Sequence, residues 1–397
     1  MTESPNLGYG CGMSSTTTTT SPLRPFAAAT PDPVTVGRLG ERLPGVHRIA
    51  VLRGGGLGDL LFAVPALYAL AAAYPEAEIV LLGSAIHAEL LAGRPGPVDE
   101  VAVLPATHTE WSGTPDADEA EFVRRLRATP IDLAVQVHGG GAWSNPFLRQ
   151  LNPRLSVGSR AAGAAPLHRN LPYRYYQHEM LRALEVAGLA GAPPVLLEPR
   201  LPLTEADRAA ASAALGTVPE PVVVVHPGAS DPRRCWPTAR FAEIARHCLS
   251  RGATVVLVGG AADRRLVADI EARVAAASNG DSHLGTLRTL VGSDLSTLCG
   301  VLARADVLVG NDSGPRHLAR ALGTPTVGVF WIGNVISAGP LSRGNDRVLM
   351  SWVTRCPVCD QDVTDEHAPR CPHDDSFVAA VPVGDVRAEV DELLGWG

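Results

Sequence analysis

The sequence predicts an α/β fold of two domains, each a parallel sheet covered by helices. Two observations predict it. At 397 residues with 46% hydrophobic content, the chain is long enough for two domains that each bury a core. Apolar runs of strand length also alternate with helical stretches in two separate series, which is the pattern of repeated βαβ units.

Residues 1–45 contain a serine and threonine run followed by proline-rich sequence. Such a segment buries too little apolar surface to offset the entropy lost on ordering, so we predict a disordered tail. The first domain is predicted over residues 46–203. Its strands are expected at RIAVL, AEIVLLG, VDEVAVLP and IDLAVQVHG, with a helix over LLFAVPALYALAAAY.

The second domain is predicted over residues 204–383, starting at a helix with acids in its first turn and Thr204 as its N-cap. Its strands are expected at VVVVHPG, TVVLVGG, ADVLVGN and TPTVGVFW. The proline-rich stretch GAPPVLLEPRLPL between the two series predicts a hinge. Residues 384–397 predict an amphipathic C-terminal helix.

Composition excludes several function classes. The net charge of −7, from 34 basic and 41 acidic residues, provides no broad attraction for nucleic acid or anionic lipid, so any anion must be bound locally. The sequence shows neither an apolar run of transmembrane length nor a signal peptide, so we expect a cytoplasmic protein and leave peripheral association with the inner membrane open. Cys11, Cys235, Cys248 and Cys299 are scattered singly, which predicts reduced and mostly buried thiols.

The loop RGGGLGD follows the first predicted strand and opens a helix, so its backbone N–H groups from Gly56 to Asp59 face the strand ends. It lacks the GxGxxG order of a dinucleotide fingerprint, and its carboxylate would repel a pyrophosphate. A plain tight turn with Asp59 as helix N-cap is one interpretation. A functional carboxylate is the other.

The most informative stretch is VLVGNDSGPRHLARALGTPTVGVFW, which predicts strand, polar turn, helix and strand. Asp312 or Ser313 can cap the helix, and Gly314 lets a ligand approach the backbone. The helix end then leaves N–H groups and a positive dipole for a diphosphate. For His317 taken alone, the favoured interpretation is a polar residue that hydrogen-bonds the neighbouring loop.

Two further loops contribute charged residues. In HPGASDPRRCWPTARF, Arg233 or Arg234 can neutralise a leaving phosphate, and the alternative is a solvated basic loop. In LVGGAADRR, Asp263 is either a ribose-binding carboxylate or a helix N-cap.

These segments together resemble glycosyltransferase family 9, the heptosyltransferase family. The matching segments are RGGGLGDLLFAVPAL, HPGASDPRRCWP, LVGGAAD and NDSGPRHLARALGTPTVGVF, in the family's order. The resemblance implies a GT-B architecture, in which two Rossmann-like domains face each other across a cleft and the C-terminal helix packs back on the first domain. The first domain then holds the acceptor and the second holds the nucleotide sugar.

Carried over to this sequence, the resemblance makes Asp59 the catalytic base on an acceptor-side loop that contains Gly56 and Gly58. It assigns donor binding to Arg234, Asp263, Asp312, Ser313, Gly314 and His317. The family usually has lysine where this chain has Arg234 and often has glutamate where it has Asp263. Both replacements keep the charge and change the geometry.

The implied activity is an inverting, metal-independent transfer of a sugar from a nucleotide-diphosphate donor to an acceptor hydroxyl. A heptose from ADP-heptose is expected, with a carbohydrate, glycolipid or small-molecule acceptor and no cofactor required for catalysis. The alternatives are a GT-B transferase with a hexose donor and a nucleotide-sugar-binding protein without turnover. A nicotinamide oxidoreductase ranks behind both.

The segment 355–375, RCPVCDQDVTDEHAPRCPHDD, is rich in metal-ligand residue types. Cys356, Cys359 and Cys371 match a structural zinc site with His373, or with His367 in its place, although a second C-x-x-C pair is missing. The competing interpretation is a reduced or disulfide-linked surface loop. We interpret the nearby D-x-D string at Asp360 to Asp362 as solvated acids.

Overall fold

The structure, a computed structural model, describes residues 36–105, 117–276 and 285–397. In these residues the first sheet consists of six parallel strands: β1 (Arg48–Leu52), β2 (Glu78–Gly83), β3 (Glu100–Val103), β4 (Leu133–Gln136), β5 (Leu155–Arg160) and β6 (Arg169–Pro172). The helices around it are α1 (Leu57–Ala73), α2 (Ala85–Leu91), α3 (Ala117–Leu126), α4 (Ser144–Gln150) and α5 (Glu179–Leu189).

The second sheet also has six parallel strands in the described part of the chain: β7 (Val222–His226), β8 (Thr254–Gly259), β9 (Thr286–Val291), β10 (Val307–Asn311), β11 (Thr326–Trp331) and β12 (Asp346–Ser351). Its helices are α6 (Glu205–Leu215), α7 (Thr238–Ser250), α8 (Arg264–Ala276), α9 (Leu295–Arg304), α10 (Gly314–Ala321), α11 (Ile332–Ala338) and α12 (Val383–Leu394).

The two sheets have the same strand order. The first is ordered β3-β2-β1-β4-β5-β6 and the second β12-β11-β10-β7-β8-β9, and read from the opposite edge the second repeats the first. This is the Rossmann order, which confirms the predicted α/β fold class with two Rossmann-like sheets. Its switch points lie between β1 and β4 and between β7 and β10, where ligands bind at the carboxyl ends of the strands.

Continuous apolar sequence explains the central strands. In β7, all five residues of VVVVH are buried, and β10 is buried throughout as well. Such strands must be covered on both faces, which the flanking helices do. Helix α6 begins where predicted, because the Thr204 hydroxyl accepts a hydrogen bond from the Asp207 N–H at 3.1 Å.

The C-terminal helix corrects one prediction. We expected it to pack on the first domain, but α12 contacts α7, β10, β11 and β12 of the second sheet. Its apolar residues Val386 and Val390 are fully buried in the core of that sheet. Ion pairs from Arg347 to Glu389 and Glu392 also hold the helix on the second domain.

The prediction of a disordered tail over residues 1–45 is wrong for residues 36–45. Residues 1–35 lie outside the described residues, as does Cys11. Residues 36–45, however, contact the first domain: Gly40 N–H donates to the Gly188 carbonyl at 2.8 Å and Leu43 N–H to the Tyr74 hydroxyl at 3.2 Å.

In the described residues, no helix is long and apolar enough to cross a membrane. Cytoplasmic location and peripheral membrane association stay predictions.

Candidate active site

A cleft of about 590 Å³ lies where the carboxyl ends of the two sheets meet. The amino ends of α1 and α10 both line it, each following the first or fourth strand of its own sheet. Both are at topological switch points, where open α/β sheets bind ligands. Of the predicted site residues, the cleft is lined by Gly56, Gly58, Asp59, Arg234, Asp312, Ser313, Gly314 and His317.

Asp59 occupies the third position of α1, and Gly56 is the N-cap residue. The interpretation of Asp59 as N-cap is therefore wrong by three residues. Its Oδ2 accepts the Gly56 N–H at 2.9 Å, so the carboxylate folds back over its own loop. Gly55 has a φ of +97°, and a Cβ there would collide with that carboxylate, which explains the glycine.

Arg53, at the end of β1, holds the other oxygen of Asp59. Its Nη2 donates to Asp59 Oδ1 at 2.7 Å, and its Nη1 donates to the Val137 carbonyl and to Glu179 Oε2 at 2.6 and 3.1 Å. The Arg53 side chain is 5% exposed, whereas that of Asp59 is 44% exposed to the cleft. A buried guanidinium therefore orients an accessible carboxylate.

Glu179 extends this network to a loop rich in tyrosine. Arg182 pairs with Glu179 and donates to the carbonyls of residues 174, 175 and 177. Its guanidinium also lies 4.5 Å from the centroid of the Tyr173 ring. The loop 173–177 lines the cleft through its tyrosines and is thus tied to the residues that orient Asp59.

At α10 the acidic residue lies outside the helix. Asp312 is buried, and its oxygens accept from His317 Nε2 at 2.9 Å and from Arg234 Nη1 at 3.2 Å. Burial opposes ionisation of Asp312, but the hydrogen bond from His317 and the charges of Arg234 and Arg316 lower its pKa. Asp312 is therefore a buried carboxylate that holds Arg234 at the cleft.

His317 is neutral at this position. Burial lowers its pKa, and the opposing effect of Asp312 does not restore it. Because the carboxylate accepts from Nε2, the ring proton is on Nε2, and the buried Nδ1 has no hydrogen-bond partner in the described residues. The ring packs against Phe62 of α1, with centroids 4.7 Å apart.

Ser313 occupies the N-cap position of α10 but does not cap it with its side chain. Its hydroxyl bonds to Nδ1 of His226, at 3.0 Å, and Nε2 of His226 lies 3.5 Å from Asp263 Oδ2. Asp263 also accepts the Gly260 N–H and does not line the cleft. The hydrogen bond from His226 lowers the pKa of Asp263. Asp263 is therefore linked to the cleft indirectly, through His226 and Ser313.

Two glycines let the domains approach. A Cβ on Gly58 would lie 3.3 Å from His317 Cδ2, and a Cβ on Gly314 would lie 3.3 Å from Leu57 Cβ. These separations are tighter than ordinary van der Waals contact. The two helix ends consequently face each other at close range across the cleft.

The cysteine segment brings together the four residues named from the sequence. One ligand atom from each of Cys356, Cys359, Cys371 and His373 lies within 4.8 Å of the others. A tetrahedral site with Zn–S bonds of about 2.3 Å needs ligand atoms about 3.8 Å apart, and Cys356 Sγ is 3.7 Å from His373 Nδ1. The backbone N–H of Cys359 lowers the pKa of Cys356 to about 6, which favours the thiolate that metals bind.

The family model for glycosyltransferase family 9 (heptosyltransferase) matches residues 120–363, more than half of the 397-residue chain. The chain belongs to glycosyltransferase family 9. It is therefore a glycosyltransferase, an enzyme that transfers sugar from a nucleotide-sugar donor.

Relatives of this family 9 enzyme agree in fold. It is 26% identical to lipopolysaccharide heptosyltransferase 1 of Pseudomonas aeruginosa over 71% of this chain and 78% of that protein. The family 9 glycosyltransferase of Veillonella parvula superposes with a TM-score of 0.71 at 20% identity, covering 90% of this chain and 99% of the other. The ADP-heptose lipopolysaccharide heptosyltransferase II of Escherichia coli gives 0.66 at 20% identity, covering 88% and 99%.

Several cleft residues of this family 9 enzyme were not predicted from the sequence. Arg53 contacts Asp59 directly, and Glu179 is linked to Asp59 through Arg53. His226 contacts Ser313. His138 follows β4, and burial lowers its pKa, so its ring is neutral. Its position at the end of the predicted strand IDLAVQVHG, where an HGGG turn begins, could have identified it. The remaining unpredicted lining residues include Tyr173, Tyr175, Tyr176, Trp331 and Asn334.

Arg233, by contrast, was a candidate from the sequence that the structure places outside the cleft. Its guanidinium donates three hydrogen bonds to the carboxylate of Asp231 and lies over the ring of Phe377 at 5.1 Å. Arg233 does not line the cleft, whereas Arg234 does. Of the two adjacent arginines in this family 9 enzyme, Arg234 is the one available to a ligand in the cleft.

Proposed function

We propose that this enzyme transfers a sugar with inversion, with Asp59 as the base and the amino end of α10 as the diphosphate site. The observation that carries the proposal is the direct opposition of the two helix ends across one cleft. An acceptor hydroxyl at Asp59 and a donor at Ser313 and Gly314 would then meet between them. One displacement on the face opposite the leaving group inverts the anomeric centre.

The donor diphosphate is assigned to α10 because no side chain caps that helix. The free N–H groups of its first turn and the helix dipole both favour an anion. Arg234 adds a guanidinium from the β7–α7 loop, fixed on one side by Asp312 and on the other by Ser230. These groups would stabilise charge on the departing nucleotide diphosphate.

Asp59 has the properties that a general base in the cleft needs. It is accessible, and each oxygen already accepts one hydrogen bond, which fixes its direction and leaves a further lone pair. Arg53 keeps it in place while the proton of the acceptor hydroxyl is transferred. His138, neutral and in the same cleft, is available to contact the acceptor.

Metal-independent catalysis fits the pairing of the cleft acids. Asp59 and Glu179 are paired with Arg53, and Asp312 is paired with Arg234 and His317. A magnesium ion bound to nucleotide phosphates generally takes one or two free carboxylates. Leaving-group charge would instead be balanced by Arg234 and by α10.

The donor is proposed to be ADP-heptose. Support comes from relatives named as heptosyltransferases, one of them as ADP-heptose-dependent. A hexose donor is the alternative, because no motif identifies the sugar. Thermal-shift measurements with ADP-, GDP- and UDP-sugars test this, since a ligand at about 100 times its Kd adds about 2.7 kcal/mol of stability. A shift with UDP- or GDP-sugars and none with ADP-sugars would reject the ADP assignment.

The cysteine cluster is proposed to bind structural zinc. The four ligand atoms match zinc in type and approximate spacing. Arg233 contacts Cys371 of the segment as well as Asp231 and Phe377, so it connects the segment to the second domain. We expect chelation or Cys356→Ser to lower the Tm, and any loss of turnover to accompany that fall. Metal analysis of the purified protein checks the ion. Turnover lost without any fall in Tm would contradict a structural role.

A further inference from the structure

A second cavity of about 370 Å³ opens beside the catalytic cleft. Tyr175, Arg234, Trp331 and Asn334 line both spaces, so the two adjoin. The far wall of the second cavity is the acidic segment, which we define as residues 361–370, between the two halves of the cysteine cluster. A ligand bound in this cavity would therefore lie beside the cleft.

The tyrosine loop 173–177 closes the cavity from the first domain. The Tyr176 hydroxyl donates to the Thr364 carbonyl at 2.5 Å, so the loop and the acidic segment touch. Burial, Tyr175 and the carboxylates of Asp362, Glu366 and Asp365 together raise the pKa of Tyr176. The cavity is therefore shared by both domains, as a site for a second substrate in a two-domain transferase must be.

Sheet order places this cavity on the side of α10 away from Asp263, the residue that the sequence offers for ribose binding. Asp263 follows β8, on one flank of the β7–β10 switch point. Trp331 ends β11 and the acidic segment follows β12, both on the other flank. With the diphosphate at α10 in the middle, the transferred sugar and its acceptor lie toward β11 and β12.

The walls fit a sugar ring. Tyr175 and Trp331 present aromatic surface, and Trp331 is held by a hydrogen bond from its Nε1 to the Val353 carbonyl. Gln361, Asn334 and four carboxylates add hydrogen-bonding groups. A flat aromatic face with a few polar groups around it suits a ring that has an apolar face and hydroxyls on its edge.

The charges of the second cavity disfavour an anionic acceptor. Of the arginines that line it, Arg233 pairs with Asp231 and Arg370 with Asp374, and Arg234 is assigned to the donor diphosphate. Asp362, Asp365 and Glu366 form no ion pair with an arginine anywhere in the described residues. A phosphate or carboxylate would meet these acids without a free cation, and an ammonium group would be attracted.

We propose that this second cavity is the acceptor subsite, and that its acceptor is a carbohydrate without phosphate or carboxylate groups, with an amine-bearing sugar favoured. The proposal rests on the proposed function, because it takes the cleft as the catalytic site. It narrows the acceptor from any hydroxyl compound to a chemical class.

Saturation-transfer NMR with glucosamine, glucose and glucuronate, each added to the full chain saturated with ADP, tests the proposal. We expect glucosamine to bind more tightly than glucose and glucuronate to bind least. Tyr175→Ala should weaken glucosamine and glucose severalfold, the scale of one lost aromatic contact. Binding of none of the three sugars, or tightest binding of glucuronate, would overturn the proposal.

A variant that removes charge but keeps side-chain size distinguishes the charge of the acidic residues from their packing in the cavity wall. Asp365→Asn combined with Glu366→Gln should weaken glucosamine about tenfold and reduce the disadvantage of glucuronate. Asp360→Asn is the matched control, because Asp360 lies on the same stretch but pairs with Arg355 and lines neither cavity, so it should change neither sugar. Equal effects of the two variants would reject the charge argument.

ADP calorimetry on the same samples keeps the two proposals apart. If ADP binds and the sugars do not, the acceptor subsite is rejected and the donor site stands. If neither ADP nor GDP nor UDP binds in the same measurement, the proposed donor site is rejected, and the proposed function with it.

Discussion

The amino ends of α1 and α10 are built on the same plan and differ in which group satisfies them. Each follows a central strand of an identically ordered sheet and faces the cleft. At α1 the protein supplies its own anion, because Asp59 folds back onto the Gly56 N–H. At α10 the corresponding acid, Asp312, turns away to His317 and Arg234, and the helix end is left without a side-chain cap.

This difference suggests how two similar sheets acquire different roles. A helix end that is already occupied by a carboxylate repels a phosphate but presents a base. A helix end without a cap retains N–H groups for an anionic ligand. The comparison therefore predicts that substitutions at the two ends affect different steps of the reaction.

The largest effect is expected for Asp59→Asn. The amide keeps the size of the side chain but cannot accept the hydroxyl proton, so transfer should fall by on the order of 100-fold or more. Steady-state transfer assays measure this. Near-normal turnover in the variant would remove Asp59 from the mechanism and leave α1 with a structural carboxylate.

Arg234→Ala should act at the other end. Loss of one charge-assisted hydrogen bond to the diphosphate costs about 1.5–3 kcal/mol, so the Kd for donor and for free nucleotide diphosphate should rise about 10- to 150-fold. Arg234→Lys should recover most of the loss, since the family usually has lysine there. An unchanged donor Kd in Arg234→Ala would show that this loop does not bind the diphosphate.

Arg53→Gln sharpens the comparison from within the first domain. Because Arg53 orients Asp59 without lining the donor side, kcat should fall about tenfold while the donor Kd stays near that of the wild type. Arg53→Lys retains the charge but not the fork, so it should be intermediate. A parallel fall in melting temperature that accounts for all lost activity would make Arg53 merely structural.

A smaller effect is expected from pH. Burial lowers the pKa of His87, His138, His178 and His317 from the ordinary 6.5, so the unfolded chain binds more protons than the folded chain below that pH. Stability should be complete above pH 6.5 and decline as the pH falls from there through the lowered folded-state values, by at most about 1.4 kcal/mol per pH unit for each histidine.

Differential scanning calorimetry between pH 7.5 and pH 5 measures this decline. His178→Asn should flatten the slope, whereas the control His367→Asn should not, because the His367 side chain is 87% exposed. A Tm that is constant or rises toward pH 5 would contradict the assignment of buried neutral histidines around the cleft.

The sequence predicted those parts of the fold in which local signals agree. Continuous apolar runs identified eight of the described strands, but β5, β6, β9 and β12 were missed because polar residues interrupt the apolar run in each of them. The direction of the C-terminal helix was also wrong, because its apolar face fits either domain and only tertiary contacts choose between them.

The site was predictable where its residues form one contiguous motif. The stretch from Asp312 to His317 is such a motif, and all of its predicted members line the cleft. Arg53 belongs to the loop RGGGLGD but was not predicted as a site residue, because its role depends on Glu179, 126 residues away. The tyrosine loop and the acidic segment come together from separate domains, and sequence spacing contains no information on that contact.

The central claim is that α1 provides the base and α10 binds the donor. Calorimetric titration of ADP into Asp59→Asn and Gly314→Val, side by side with the unmodified chain, tests it most directly. We expect Asp59→Asn to bind ADP like the unmodified chain and Gly314→Val to bind it at least tenfold more weakly, because a side chain at that position blocks the approach of the phosphates to the backbone. Unimpaired ADP binding by Gly314→Val, or an equal loss in both variants, would contradict the division of roles between the two helix ends.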